Sequence, residues 1–184
     1  MSHQRTAVGD ARLSQFDAIV LVHLDAAWNL ARWLLADRAL AEDAVQEACL
    51  KALKAFEQRR GPNAKAWFLA IVRNCCMDVL RGLRHQRRSD PYDEDVLSPI
   101  PDERLDSPEA AAARASEARW LHRLIDELPS EYREVLILRE LEDLSYKEIS
   151  QIVRVPIGTV MSRLARARDG LAEKIGAKRA RRHA

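Results

Sequence analysis

The sequence predicts an all-α chain: two small helical units joined by a flexible acidic linker. Three observations predict it. Apolar residues recur at three- and four-residue steps through most of the chain, which is the period of an amphipathic helix and not of a strand. Composition agrees, with 47% hydrophobic, 32% charged and only 5% aromatic residues among 184; sheets draw more heavily on aromatic and β-branched side chains. A proline-rich, acidic stretch then separates two runs of helical pattern. The boundaries that follow are a disordered tail at 1–12, a first unit at 13–88, a linker at 89–108, a second unit at 109–175 and a basic tail at 176–184.

The first helix spans about Ser14 to Ala36, where Phe16, Val20, Leu24, Ala27, Ala31 and Leu35 form one stripe. Asp37 suits the N-cap of the next helix, about Arg38 to Phe56. Its inner face is Ala41, Val45, Ala48, Ala52 and Phe56, and Asp43, Gln46, Glu47, Leu50 and Lys54 fall on the other side. Gly61-Pro62 and Asn63 mark a loop, with Asn63 as a cap for a third helix running to about Arg87. Phe68, Ile71, Val72, Cys75, Val79 and Leu83 give that helix its apolar stripe, and Arg73, Arg81, Arg84 and Arg88 share one side.

From Ser89 to Asp106 the chain carries Pro91, Pro99, Pro101 and the cluster Asp93, Glu94, Asp95. Such a segment has too little apolar surface to fold alone. Ser107-Pro108 reads as a helix start, leading a helix from Ala110 to Leu128 whose apolar face is Leu121, Leu124, Ile125 and Leu128. Pro129 ends it, and Ser130 is placed to cap a helix over Glu131 to Leu141.

Ser145-Tyr146-Lys147-Glu148 has the S-x-x-E form of a capping box. It opens a short helix, a turn at Arg154 to Pro156, and a second helix studded with arginine. That is the layout of a helix-turn-helix, whose second helix enters the DNA major groove. Ile149, Val153, Val155 and Val160 suit the packing between the two helices, and Ser162, Ala165, Arg166 and Asp169 share the outer face. A hydroxyl, a small residue and a guanidinium on one face suit base-edge and phosphate contacts. Arg163 and Arg168 are placed for phosphates or for neighbouring helices. Arg154 stands where glycine usually takes a left-handed conformation, at a cost on the order of 1 kcal/mol. Charge supports the assignment. Arg154 to Ala184 holds nine Lys/Arg against two acidic residues, whereas Ser89 to Glu109 holds eight acidic residues against one arginine, within a net charge of +2.

Other chemistries are poorly supported. Cys49, Cys75 and Cys76 form no CxxC pair. Adjacent cysteines on a helix cannot form the usual disulfide, so reduced thiols and a cytoplasmic setting are expected. His3, His23, His85, His122 and His183 share no ligand spacing, and no nucleophile–base pair or glycine-rich phosphate loop is present. No enzyme activity, metal or cofactor is expected. The N-terminus lacks the apolar core of a signal peptide, and no run is expected to reach the roughly 20 apolar residues of a membrane span.

Three stretches together resemble the extracytoplasmic-function (ECF) sigma factors: AEDAVQEACLKAL at 41–53, AWFLAIVRNCCMDVLR at 66–81, and LPSEYREVLILRELEDLSYKEISQIVRVPIGTVMSRLARARDGL at 128–171. The resemblance covers about residues 14–175 and implies a sigma region 2 bundle followed by a sigma region 4 helix-turn-helix. It implies that Asp43, Gln46 and Glu47 bind core RNA polymerase; a solvated face is the alternative reading. It implies that Lys65, Trp67, Arg73, Asn74, Asp78, Arg81 and Arg84 belong to the part that opens the −10 promoter element. A basic face with a nearby aromatic also suits single-stranded DNA, although Trp67 reads equally as core packing. Thr159, Met161, Ser162, Arg163, Ala165, Arg166 and Arg168 would read the −35 element.

The implied partners are core RNA polymerase, promoter DNA and an anti-sigma factor, with no membrane insertion. The acidic linker would thread into a basic channel of polymerase, or serve as a solvated spacer. A stand-alone helix-turn-helix regulator and a sigma mimic that sequesters an anti-sigma factor are the alternative functions. Leu69, Ala70, Ser150, Arg154 and Met161 depart from the family pattern.

Overall fold

The computed structural model describes residues 13–59, 61–89 and 120–182. The expectations for the tail 1–12, the linker from Asp90 to Asp106, the Ser107-Pro108 helix start and the helix before Trp120 lie outside the described residues. So do the side chains of Arg88 and of the basic residues from Lys178 on, and the residues His3 and His183. Described regular structure is helical throughout: α1 (13–19), α2 (Leu24–Leu35), α3 (Arg38–Ala55), α4 (Ala64–Ser89), α5 (120–126), α6 (Ser130–Glu140), α7 (Tyr146–Val153) and α8 (Ile157–Arg182).

The first expected helix is not continuous. A 3-10 turn at Leu21–His23 separates α1 from α2. With that break Val20 is fully buried and Phe16 meets Phe56 edge to face, centroids 5.5 Å apart. Val22 is left 65% exposed. Contrary to expectation, Leu13–Leu35 is long and apolar enough by composition to cross a membrane, at mean hydropathy 1.3. In the fold its Val20, Ala27, Leu30 and Ala31 are instead the fully buried centre of the first unit.

Asp37 caps α3 as expected, accepting from Leu40 N at 2.9 Å. Ala36 ends α2 in the left-handed region at φ 55°, which lets α2 and α3 meet through two residues. The buried stripe of α3 is mostly alanine: Ala41, Ala44, Ala48 and Ala52. Small residues allow close approach, so α3 packs against both α2 and α4. Asn63 caps α4, accepting from Ala66 N at 3.0 Å. Phe68, Leu69, Val72 and Cys76 of α4 close the core.

In the second unit Leu124, Ile125 and Leu128 are buried as expected, but Leu121 is 41% exposed. Helix α6 begins at Ser130, with Pro129 at its N-cap and no side-chain cap bond, so Ser130 is not the expected cap. The buried run Glu134 to Leu138 is too long for one helix face: α6 is covered on nearly all sides. Helices α7 and α8 cover one side of it. The first unit covers the other, with α2 against α6 and α4 against α7. The apolar core is therefore continuous from Phe16 to Ala167, an arrangement that the separate helix patterns did not indicate.

Candidate nucleic-acid and polymerase interfaces

The helix-turn-helix is built as the sequence indicated. Ser145 Oγ accepts from Glu148 N at 3.3 Å, and Glu148 Oε2 accepts from Ser145 N at 2.8 Å, completing the capping box. Arg154 takes the left-handed conformation at φ 57°. The turn around it is tied twice: Val155 N donates to Ser150 O at 3.3 Å, and Ser150 Oγ donates to Val155 O at 2.5 Å. The serine that departs from the family pattern thus supplies a bond across the residue that departs beside it. Ile149, Ile152, Val153, Val160, Leu164 and Ala167 lock the motif together.

The outer face of α8 presents Met161, Ser162, Ala165, Arg166 and Asp169 to solvent, while Thr159 and Arg163 are half-buried. Ser162 Oγ donates to Thr159 O at 3.0 Å, leaving its lone pairs free to accept. Arg166 lies on Tyr132 Oη at 3.1 Å, an exposed contact that a base edge can replace. Arg168 is bound to Glu140 of α6 through Nε at 3.1 Å and Nη2 at 2.5 Å. Of the two roles considered for Arg168, the neighbouring helix is the one seen. The basic tail expected from 176 continues α8 as helix to Arg182.

A second surface is the outer side of α3, where Asp43, Gln46, Glu47, Leu50 and Lys54 are all exposed. Glu47 is 3.5 Å from Lys51 one turn on. Leu50, 55% exposed, is an apolar side chain within this polar row.

The third surface is the α4 face expected for the −10 element, and here the structure adds something the sequence did not show. Arg81 pairs with Asp78 at 2.5 Å and, with Arg84, is exposed. Asn74 is half-buried. The N-terminal half of α4 faces the second unit. Lys65 Nζ donates to Glu142 O at 2.8 Å and pairs with its carboxylate at 3.0 Å. Arg73 pairs with Glu134, Nη2 to Oε2 at 3.3 Å with Nε on the other oxygen. Asn63 Nδ2 donates to Glu148. Trp67 is half-buried on the wall of a cleft of about 590 Å³ between the units, opposite Ser145, Lys147, Glu148 and Gln151. Trp67 is therefore neither a pure core residue nor an open stacking platform.

Glu134 and Glu142 are 3% and 4% exposed. Sequence reasoning missed both. The signal available was Val135-Leu136-Ile137-Leu138, an apolar run with no polar side, which marks a helix buried all round and makes its neighbouring acids suspect. The same interface holds Arg133, which donates to Trp33 O at 3.0 Å, and a stack of Trp33 on His122 at 4.3 Å. Burial outweighs the Asp126 charge and pushes the Arg133 guanidinium below its usual value.

All three cysteines are free thiols. Burial pushes Cys76 up to about 12, and burial likewise raises Cys75 despite Lys51 Nζ at 3.6 Å. Neither is a poised nucleophile. Among the described residues no group of three or more His, Cys, Asp or Glu side chains is placed to hold a metal.

Comparison with known proteins agrees with this geometry. Residues 19–88 match Sigma-70 region 2 and residues 118–170 match Sigma-70, region 4. The RNA polymerase sigma-H factor of Pseudomonas aeruginosa is 34% identical over 91% of this chain and 89% of its own length. The ECF RNA polymerase sigma-E factor of Escherichia coli is 34% identical over 72% of each chain. Among solved structures, the sigma factor RpoE from Bartonella quintana, in complex with the anti-sigma factor NepR, is similar at 28% identity. It has a TM-score of 0.73 over 88% of this chain and 97% of that one, a span that takes in both units. A region 2 bundle, a region 4 helix-turn-helix and relatives of one kind matched over most of their length place the chain in the extracytoplasmic-function family of RNA polymerase sigma factors.

Proposed function

We propose that the chain binds core RNA polymerase through the α3 face and directs it to promoters bearing a −35 element read by α8. The observation that carries this reading is the row Asp43, Gln46, Glu47, exposed on α3 of a chain that also holds an intact helix-turn-helix. A regulator that binds duplex DNA alone leaves this row no role beyond a solvated face. Ser162 and Arg166 supply hydrogen bonds to base edges, and exposed Met161 supplies an apolar contact of the kind a thymine methyl accepts. Arg163 and the basic residues beyond it attract phosphate. Lys65, Trp67, Arg73, Asn74, Asp78, Arg81 and Arg84 form the −10 surface, where cations hold the backbone and Trp67 stacks on an unpaired base. The protein works in the cytoplasm as a non-catalytic initiation factor. Its likeness to RpoE supports control by an anti-sigma factor.

Pull-down with core polymerase tests the reading. The wild-type chain is expected to retain core enzyme, and Asp43→Arg to lose most of it while keeping its helical signal. A wild-type chain that binds −35 duplex but never core polymerase would establish the stand-alone regulator instead. A chain that captures an anti-sigma factor and supports no promoter-specific transcript would be a mimic.

A further inference from the structure

We propose that α6 divides the work of two arginines on α8: the carboxylate of Glu140 withholds Arg168 from the DNA backbone, while the phenol of Tyr132 leaves Arg166 free to read bases. The proposal rests on the −35 reading of α8 and deepens it. It sets Arg168 apart from the other basic residues of that helix. It also makes Glu140 the residue that limits how tightly the chain holds duplex of any sequence.

Helix geometry separates the two arginines. Arg166 and Arg168 are two positions apart, so their side chains leave α8 on nearly opposite sides, about 160° apart. Their partners, Tyr132 and Glu140, are eight positions apart on α6, or about 12 Å along its axis. Helix α6 therefore crosses beneath α8 and reaches one arginine near each of its ends. Arg166 Nη1 donates to the Tyr132 hydroxyl at 3.1 Å. Arg168 donates to Glu140 Oε1 through Nε at 3.1 Å and through Nη2 at 2.5 Å. The first partner is neutral and the second carries a full negative charge. Arg139, beside Glu140 in the chain, is engaged elsewhere. Its Nη1 donates to Leu144 O at 2.8 Å, and its guanidinium lies 5.2 Å from the centroid of the Tyr146 ring.

The kind of bond decides what each arginine can give to DNA. Arginine takes a phosphate bidentately along an edge of its fork, and Glu140 occupies the Nε–Nη2 edge of Arg168. A paired guanidinium also adds no net charge to α8, so it releases no counterion when duplex arrives. The two side chains are 52% and 46% exposed, so the pair contributes little to the fold; its consequence is for binding. Position agrees. Arg168 shares a side of α8 with Met161 and Ala165, at steps of four and three. That side flanks the reading face, where a helix in the major groove approaches a phosphate wall. On the other flank Arg163 makes no ion pair among the described residues. One flank thus offers a free cation and the other a neutralised one. Phosphate contacts strengthen binding to every duplex alike. Withholding one keeps affinity for bulk DNA low and leaves a larger share of binding to the residues that read bases.

The test uses the full chain and a labelled duplex of random sequence, about 20 base pairs long, titrated across salt. Glu140→Gln is expected to bind it roughly fivefold tighter than wild type. Its slope of log affinity against log salt is expected to steepen by about 1, as one phosphate contact is gained. Arg168→Ala alone is expected to bind as wild type does, because that arginine is already withheld. Glu140→Gln in the Arg168→Ala background is expected to change neither affinity nor slope. An equal gain with and without Arg168 would show plain repulsion between the carboxylate and DNA, and would overturn the proposal. Weaker binding by Glu140→Gln would overturn it too, since Glu140 would then be aiming Arg168 at a phosphate. Selection from a random duplex pool with wild-type holoenzyme separates the two levels. An enriched −35 sequence with no effect of Glu140→Gln rejects the withheld arginine and keeps the −35 reading. The expected response of the variants with no enriched sequence keeps the withheld arginine and rejects that reading.

Discussion

Arg73 of α4 and Glu134 of α6 are paired across the boundary between the two helical units, with side chains only 18% and 3% exposed. Removing one member of such a pair leaves a buried charge without a partner. Arg73→Ala is expected to cost about 3 kcal/mol. Opening the units returns Glu134 to water, so the loss is limited to the free energy of opening. It is expected as an early transition in urea, seen by tryptophan fluorescence, to which Trp33 and Trp67 at the boundary contribute, before the helical signal falls. Arg73→Ala/Glu134→Ala is expected to lose less than the sum of the single variants. Strict additivity would show that the pair is not coupled.

The helix-turn-helix carries two departures from its usual turn that the structure shows to be linked. Arg154→Gly removes the left-handed penalty and is expected to stabilise by up to about 1 kcal/mol, offset in part by the greater freedom of glycine in the unfolded chain. Ser150→Ala removes the 2.5 Å bond to Val155 O and is expected to destabilise by about 1 kcal/mol. Thermal unfolding of the single and double variants checks both. A smaller cost of Ser150→Ala in the Arg154→Gly background would show that the serine serves mainly to hold the strained turn.

Local rules made most of the helices legible. Caps at Asp37, Asn63 and Ser145 and the stop at Pro129 are one-residue signals acting within a turn, and the structure keeps each of them. The α3 and α8 faces were legible for the same reason, since spacing alone decides which residues share a side. The break at Leu21–His23 was not, because the apolar stripe continues through it; Val22 turned outward is its only trace. The Arg73–Glu134 and Lys65–Glu142 pairs join residues 61 and 77 positions apart. No local pattern encodes such a contact, and a basic stripe on α4 reads as a free face until its partner is seen. Leu121 fails for a related reason: its neighbours on that side of α5 are set by tertiary packing, not by period.

Arg166 tests base reading directly. Its guanidinium is exposed and lightly held by Tyr132 Oη, so it can swing into the groove at little cost. Arg166→Ala is expected to weaken −35 duplex binding by about 1–3 kcal/mol and to relax preference at one base pair. Arg163→Ala is expected to weaken all duplexes alike and flatten the salt dependence. Selection of binding sites from a random duplex pool distinguishes the two. An unchanged consensus with Arg166→Ala would remove this residue from the reading face.

Glu148 closes the capping box of α7 and also receives Asn63 from the other unit. Hydrogen bonds from the Ser145 hydroxyl and backbone, with a lesser one from Asn63, hold its carboxyl below the ordinary value of 4.5. A depressed carboxyl pKa stabilises the fold above the unfolded value, and that stability is lost as pH falls through the folded one. Glu148→Gln keeps the shape and removes the charge. It is expected to cost about 1 kcal/mol at neutral pH. The gap from wild type should hold down to about the unfolded value and then close as pH falls through the depressed folded value. Urea titrations across that range measure it. No gap at any pH would mean that shape, and not charge, makes Glu148 the cap.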